Sequence, residues 1–370
     1  MKSVTIPVFD ASLCGCKSMR RCYVDMLNTL RDKDEETCIE EVAPGMNTLM
    51  VYLKALKQFC PDLVKVHSNH KTYEGRPLFE VVINQVNNKS LDEEKKKPII
   101  FIDSGQHADP KGTILALVVI QQLTACNENS EMSLRVKWVI LPSVNPDGME
   151  YGIYNRLSWK KNMRPSDDGL AFGVDLTRNF GFQWSACPKI KSQFSVYYPG
   201  SGPFSENETV FIRDALLTYK DKTRAYISIR MNGHSLLHPF AYADVKIPNK
   251  LQVLKLANEI TNRINQRAGV VQIFVNESML SMNGKVRCGS SVDYAYDLGI
   301  PFCFEMRVFL GRSTAVMAQF QAVPRGYNRQ LLTGYVSGLK KLYDVIAAEN
   351  HPDRDTKNYL MKKLQVTDLR

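Results

Sequence analysis

The sequence predicts an α/β domain: a mixed, mostly parallel central sheet with helices on both faces. Three observations carry this. Short apolar runs of strand length alternate with longer segments whose apolar residues recur at helical spacing. The strand runs end in Gly, Asn, Asp or Pro, where a chain turns. Strand, helix, strand order of this kind closes into a sheet covered by helices. At 370 residues and 44% hydrophobic content the chain can bury a large core without staples.

The elements follow in order. "NTLMVYLKALKQFC" (47–60) has helical apolar spacing, "RPLFEVVINQV" (76–86) reads as a strand, and "KPIIFIDSG" (97–105) reads as a buried strand ending in a turn. "TILALVVIQQL" (113–123) is a helix and "RVKWVILPSVNPDG" (135–148) a strand whose "NPDG" closes as a turn. "SENETVFIRDALLTY" (205–219) opens with Ser205 and has Glu208 at the fourth place, a capping-box pattern for the helix behind it. "RAYISIRMNG" (224–233) and "IPFCFEMRV" (300–308) are strands. "NKLQVLKLANEITNRINQRAG" (249–269) and "RQLLTGYVSGLKKLYDVIAAEN" (329–350) are helices. No internal repeat or linker interrupts them, so one domain spans 45–350, after an N-terminal extension (1–44) and before a polar tail (351–370).

A net charge of +10 admits anionic partners, but the basic residues are scattered. The run "EEKKKP" (93–98) reads as a solvated turn and not as a nucleic-acid patch. No stretch has the apolar length of a membrane span, and the N-terminus lacks an evident signal peptide, which favours a cytoplasmic location. Nine cysteines without paired C-x-x-C repeats read as free thiols in a reducing compartment, with a metal site or local bridge at Cys14, Cys16 and Cys22 as the alternative. Sequons stand at Asn88, Asn207 and Asn276.

In open α/β sheets functional groups gather where strands end. Here those places hold His107, Asn145 to Gly148, Arg178, Arg230 and Glu305. Each alone has an ordinary structural explanation: His107 as a hydrogen-bonded group, Arg178 as the partner of Asp175. Their order is more specific. The stretches "YEGRPL" (73–78), "GQHADP" (105–110), "LPSVNPDGMEY" (141–151), "RLSWKKN" (156–162), "GVDLTRNFGFQW" (173–184), "YYPGSGPFSENET" (197–209), "SIRMNGHSLLHPF" (228–240), "GSSVDYAYDLGIPF" (289–302) and "FEMR" (304–307) resemble, in order and spacing, the zinc carboxypeptidases of the A/B family.

The resemblance implies a catalytic zinc held by H-x-x-E and a later His. His107 matches the first ligand, but Pro110 stands at the Glu position and Arg230 at the second His. Proline offers no donor atom, and a guanidinium repels a cation. His234 and His238, further along, do not fit the pattern as replacements. The resemblance also implies roles for other positions. Arg178 matches the arginine that holds a peptide's terminal carboxylate, with Thr177 where its asparagine partner would be. Lys160 matches the carbonyl-polarising arginine, and Lys285 the mobile tyrosine over bound substrate. Val292 matches the residue that sets side-chain preference, apolar as in the A branch. Glu305 matches the general base, and a loop two residues shorter keeps its strand face. The usual disulfide around "GVDLTRNF" would need cysteines where Ala171 and Phe194 stand, which leaves Cys187 without its usual partner.

These replacements imply a catalytically inactive carboxypeptidase-like protein with no cofactor, because water without zinc keeps a pKa of about 15.7 instead of about 7. Arg178, Arg230, Lys160 and Lys285 would then make a cationic hollow around His107 and Glu305, fit for a peptide C-terminus or another small anion. A protein partner is the other expected ligand, while nucleic acid and membrane are not expected. Two alternatives stay open: an active zinc enzyme with rebuilt ligands that releases apolar C-terminal residues, and an interaction protein that does not use the pocket. Residues 1–44 also leave open whether they are a shortened pro-segment.

Overall fold

All six side chains of the run Ile99–Ser104 are buried, as a strand covered on both faces requires. The computed structural model describes residues 13–31, 45–86, 96–231, 233–268, 274–310 and 327–350. The tail expected at 351–370, the sequon at Asn88 and the charged run up to Lys95 lie outside the described residues.

The sheet has strands β1 (Val64–Lys71), β2 (Pro77–Ile83), β3 (Ile99–Ser104), β4 (Lys137–Leu141), β5 (Thr223–Met231), β6 (Ser235–His238), β7 (Val275–Ser278) and β8 (Phe302–Val308). Their spatial order is β1-β2-β4-β3-β5-β8-β6-β7. The pairs β3/β4, β3/β5, β5/β8 and β6/β7 are parallel; β1/β2, β2/β4 and β6/β8 are antiparallel. The expected mixed, mostly parallel sheet is therefore observed. Missing from the sequence reading are β1, β6 and β7. β1 and β7 are sheet edges with mostly uncovered side chains, and β6 has only four residues, so none offers an apolar run to recognise.

Helices α1 (Arg21–Arg31), α2 (Met46–Phe59), α3 (Pro110–Ala125), α4 (Ser130–Arg135), α5 (Pro146–Asn155), α6 (Asn207–Tyr219), α7 (Lys250–Ala268), α8 (Met279–Asn283), α9 (Ser291–Asp297) and α10 (Tyr327–Asn350) cover the sheet. Alternation along each strand divides the core in two. Ile100, Ile102, Ile227, Ile229, Phe304 and Met306 pack on one face with α2, α3, α7 and α10. Phe101, Tyr226 and Cys303 pack on the other with α6 and α9. That second face also carries the polar row Asp103, Ser228 and Glu305, which are paired across β3, β5 and β8.

Two local expectations are corrected. "NPDG" opens a helix: Asn145 caps α5 by accepting from Gly148 N at 3.1 Å, with Pro146 at the first helical position. At α6 the cap position belongs to Glu206, and Ser205 instead donates to the Glu206 carboxylate.

Part of the expected N-terminal extension packs on the domain. Within Leu13–Arg31, Tyr23, Met26 and Leu27 lie in the main core beside α2 and α3. Disulfides Cys16–Cys126 and Cys22–Cys60 fix the segment to α3 and α2. A third bridge joins Cys187 to Cys288, and Cys14 is disulfide-bonded too. Among the described residues only Cys303 is a free thiol. The free-thiol reading is overturned: cysteines 101 and 110 residues apart meet because the fold brings them together, which spacing does not reveal.

Buried Asn162 ties the strand-to-strand loops into a platform. It donates to Glu206 at 2.7 Å and Glu208 at 3.1 Å, and its Oδ1 accepts from Val174 N at 2.8 Å. Burial pushes the Glu208 carboxyl up to about 8, and the neighbouring charges of Glu206 and Asp147 add to the rise. Glu208 thus keeps its proton in the folded state at pH values where the unfolded side chain, with an ordinary value of 4.5, has lost it. Its contribution to stability falls as pH rises through this interval, by up to about 1.4 kcal/mol per pH unit. Glu208→Gln is expected to flatten that fall between pH 5 and pH 8 in urea unfolding; parallel pH profiles for the two proteins would refute it.

Candidate functional site

The site lies at the carboxyl ends of β3, β5 and β8. After β3 the chain turns at Gly105, with φ of +83°, a conformation that a side chain would strain. Gln106 follows, buried, with its amide nitrogen donating to Asp103 at 2.9 Å, Ser228 at 3.1 Å and Ser291 at 3.0 Å. Next come His107 and Asp109, which caps α3 by accepting from Lys111 N and Gly112 N. Pro110 occupies the first helical position, where a missing N–H costs nothing.

His107 Nε2 lies 3.3 Å from Asp175 and 3.2 Å from the Thr177 hydroxyl. Burial pushes the imidazole below its usual value, against the pull of Asp175. Asp175 caps the short turn Leu176–Arg178, accepts from Thr177 Oγ1 at 2.7 Å and pairs with Arg178 Nε at 3.2 Å. Burial works to raise its carboxyl, but His107 and Arg178 hold it well below the usual carboxylate range.

Glu305 is fully buried between three guanidinium groups. Arg230 Nη1 stands 3.1 Å from Oε2, Arg287 Nη2 donates to the same oxygen, and Arg307 Nε reaches Oε1 at 2.7 Å. Burial would raise this carboxyl, yet Arg230, Arg287 and Arg307 bring it well below its ordinary value. Burial lowers Arg230 to about 10, so it remains charged at neutral pH. Gln106 Oε1 accepts a further bond from Arg230 at 3.2 Å. Strand geometry explains the grouping. Arg230 and Arg307 are paired across β5 and β8, and each lies two residues beyond a member of the polar row, on its face of the sheet.

The four cations of the expected hollow stand in different surroundings. Arg230 is engaged by Glu305. Lys285 is exposed and has no hydrogen bond or ion pair among the described residues; Arg287, two residues on, is the side chain that reaches Glu305. Lys160 and Arg178 remain at the rim, with Lys160 Nζ 5.8 Å and the Arg178 guanidinium 5.1 Å from the centre of the Tyr197 ring. Thr177 is buried beside His107. Val292 is fully buried in the apolar cluster behind the site. The sequence reading missed Arg287 and Arg307; Arg307 had a signal, since residues two apart on a strand share a face.

Neither of the later histidines joins this group of contacts. His234 faces Phe309 and lies 3.5 Å from the Tyr335 hydroxyl, with burial pushing its imidazole down to about 4. His238 Nδ1 contacts its neighbour's carbonyl at Pro239. Among the described residues no three His, Cys, Asp or Glu side chains group as metal ligands would.

A family model described as zinc carboxypeptidase matches residues 49–323. The chain belongs to the zinc carboxypeptidase family. Among its relatives in that family, zinc carboxypeptidase A 1 of Drosophila melanogaster is 30% identical over 298 residues, covering 76% of this chain and 68% of that one. Carboxypeptidase B of Helicoverpa zea is 29% identical over 263 residues, 68% of this chain; the match spans only 59% of that relative. The solved carboxypeptidase A of Helicoverpa armigera superposes with a TM-score of 0.75 at 23% identity, covering 88% of this chain and 80% of that one. Bovine thrombin-activatable fibrinolysis inhibitor, solved with a tick carboxypeptidase inhibitor, gives 0.73 at 22%, covering 84% and 99%. At these identities the two structures establish the carboxypeptidase fold alone.

Proposed function

We propose that this family member does not hydrolyse peptides and instead binds a peptide C-terminal carboxylate or a similar small anion at Arg178. The observation that carries the reading is Glu305 held by three guanidinium groups, one of them Arg230. A carboxylate stabilised this strongly is a poor proton acceptor, because general-base efficiency follows basicity.

The family's zinc does not fit the residues present. His107 is the one nitrogen donor on the expected ligand positions, and its Nε2 already faces Asp175 and Thr177. Pro110 has no donor to offer, and Arg230 brings positive charge. The disulfides favour an oxidising compartment over the cytoplasm.

Zinc content after loading and dialysis tests this, with Pro110→Glu/Arg230→His prepared beside the wild type. Arg287 and Arg307 still compensate Glu305 in that variant. The wild type is expected to hold no stoichiometric zinc and to release no residue from peptide C-termini, whereas the variant is expected to bind the metal. Stoichiometric zinc in the wild type, with C-terminal hydrolysis, would establish the active-enzyme alternative instead.

A further inference from the structure

Arg178 and the segments 184–191 and 198–201 border a cavity of about 320 Å³. Its lining includes the Cys187–Cys288 bridge, and three cations border it: Arg178, Lys189 and Lys191. No Asp or Glu is among its lining residues. Both lysines are exposed and form no ion pair among the described residues. Arg178 is paired with Asp175, but its buried Nε–H makes no hydrogen bond there. Trp184 forms an aromatic wall, with its indole N–H donating to the Pro199 carbonyl at 3.3 Å. Three cations at one concavity, with no carboxylate of its own, concentrate positive potential where a ligand can enter.

We propose that this cavity selects an acidic peptide C-terminus, with the terminal carboxylate on Arg178 and an Asp or Glu side chain close to that terminus on Lys189 and Lys191. The inference rests on the reading that Arg178 takes a carboxylate, and it adds a preference outside the buried cluster. A peptide suits the site better than inorganic phosphate. The volume lies near the lower limit of small-ligand pockets, and the Trp184 and Pro199 walls give side chains and backbone an apolar surface to cover.

Fluorescence anisotropy with three labelled hexapeptides tests it: one ending Glu-Glu-Leu, its Gln-Gln-Leu counterpart, and the acidic peptide with an amidated terminus. The acidic peptide is expected to bind about fivefold or more tightly than the Gln peptide at low salt, the gain expected from two exposed ion pairs. In Lys189→Gln/Lys191→Gln that preference disappears while affinity for the Gln peptide is kept. Equal affinity for acidic and Gln peptides in the wild type would overturn the inference and leave the Arg178 reading standing. Indifference to amidation would sink the Arg178 reading and this one with it. Competition by inorganic polyphosphate at concentrations well below those of the acidic peptide would overturn it in favour of a phosphate ligand.

Discussion

Glu305→Gln is expected to destabilise the protein by about 3–5 kcal/mol, the usual cost of removing one partner from a buried ion pair. The glutamine would leave Arg230 and Arg287, both almost inaccessible to water, without their shared counter-ion. Three guanidinium nitrogens, Nε and Nη1 of Arg230 and Nε of Arg287, already lack hydrogen-bond partners, so the site has little to substitute. The pH dependence has a definite sign. The folded-state value of Glu305 is depressed, so its contribution is complete above the ordinary carboxylate value of 4.5 and is lost as pH falls toward the folded value. Urea unfolding at neutral pH should show the full difference between variant and wild type, narrowing in strong acid. A loss under about 1 kcal/mol at neutral pH would put the guanidinium groups in solvent and end the argument for a disarmed base.

Removing the Cys16–Cys126 bridge with paired alanine substitutions is expected to cost about 2–5 kcal/mol, because it frees a long loop in the unfolded chain. The sequence separation is 110 residues, and Cys126 is fully buried at the end of α3. Cys22–Cys60 still holds α1 against α2 in this variant, so folding should survive. Thermal unfolding with and without reductant reads both effects. Reductant should lower the wild-type midpoint by more than it lowers the variant's. A wild type indifferent to reductant would restore the free-thiol reading of the sequence.

How much was legible depends on where the information lies. The central strands announce themselves because covered strands need unbroken apolar runs, as in Ile99–Ser104. His107, Arg178 and Glu305 are legible because strand ends and motif spacing fix their places. The state of Glu305 is not legible, since it depends on Arg287, which comes from a segment without periodicity and reaches Glu305 only in three dimensions. The expected pocket went wrong at the same point: Arg230 lies against buried Glu305, neutralises it and is spent there. "NPDG" misled because turn and helix-cap chemistry use the same residues, and only the following apolar spacing separates them. α1 had a readable signal in Tyr23, Met26 and Leu27, at helical spacing, which the charged stretch beyond it obscured.

The stapled N-terminal segment has a consequence for limited proteolysis. A protease that cut anywhere between Arg31 and Gly45 would break the backbone but free nothing, since sulfur bridges still join Leu13–Arg31 to α2 and α3. On a gel the nick would show only after reduction. A cleaved copy would keep Leu13–Arg31 attached through these bridges.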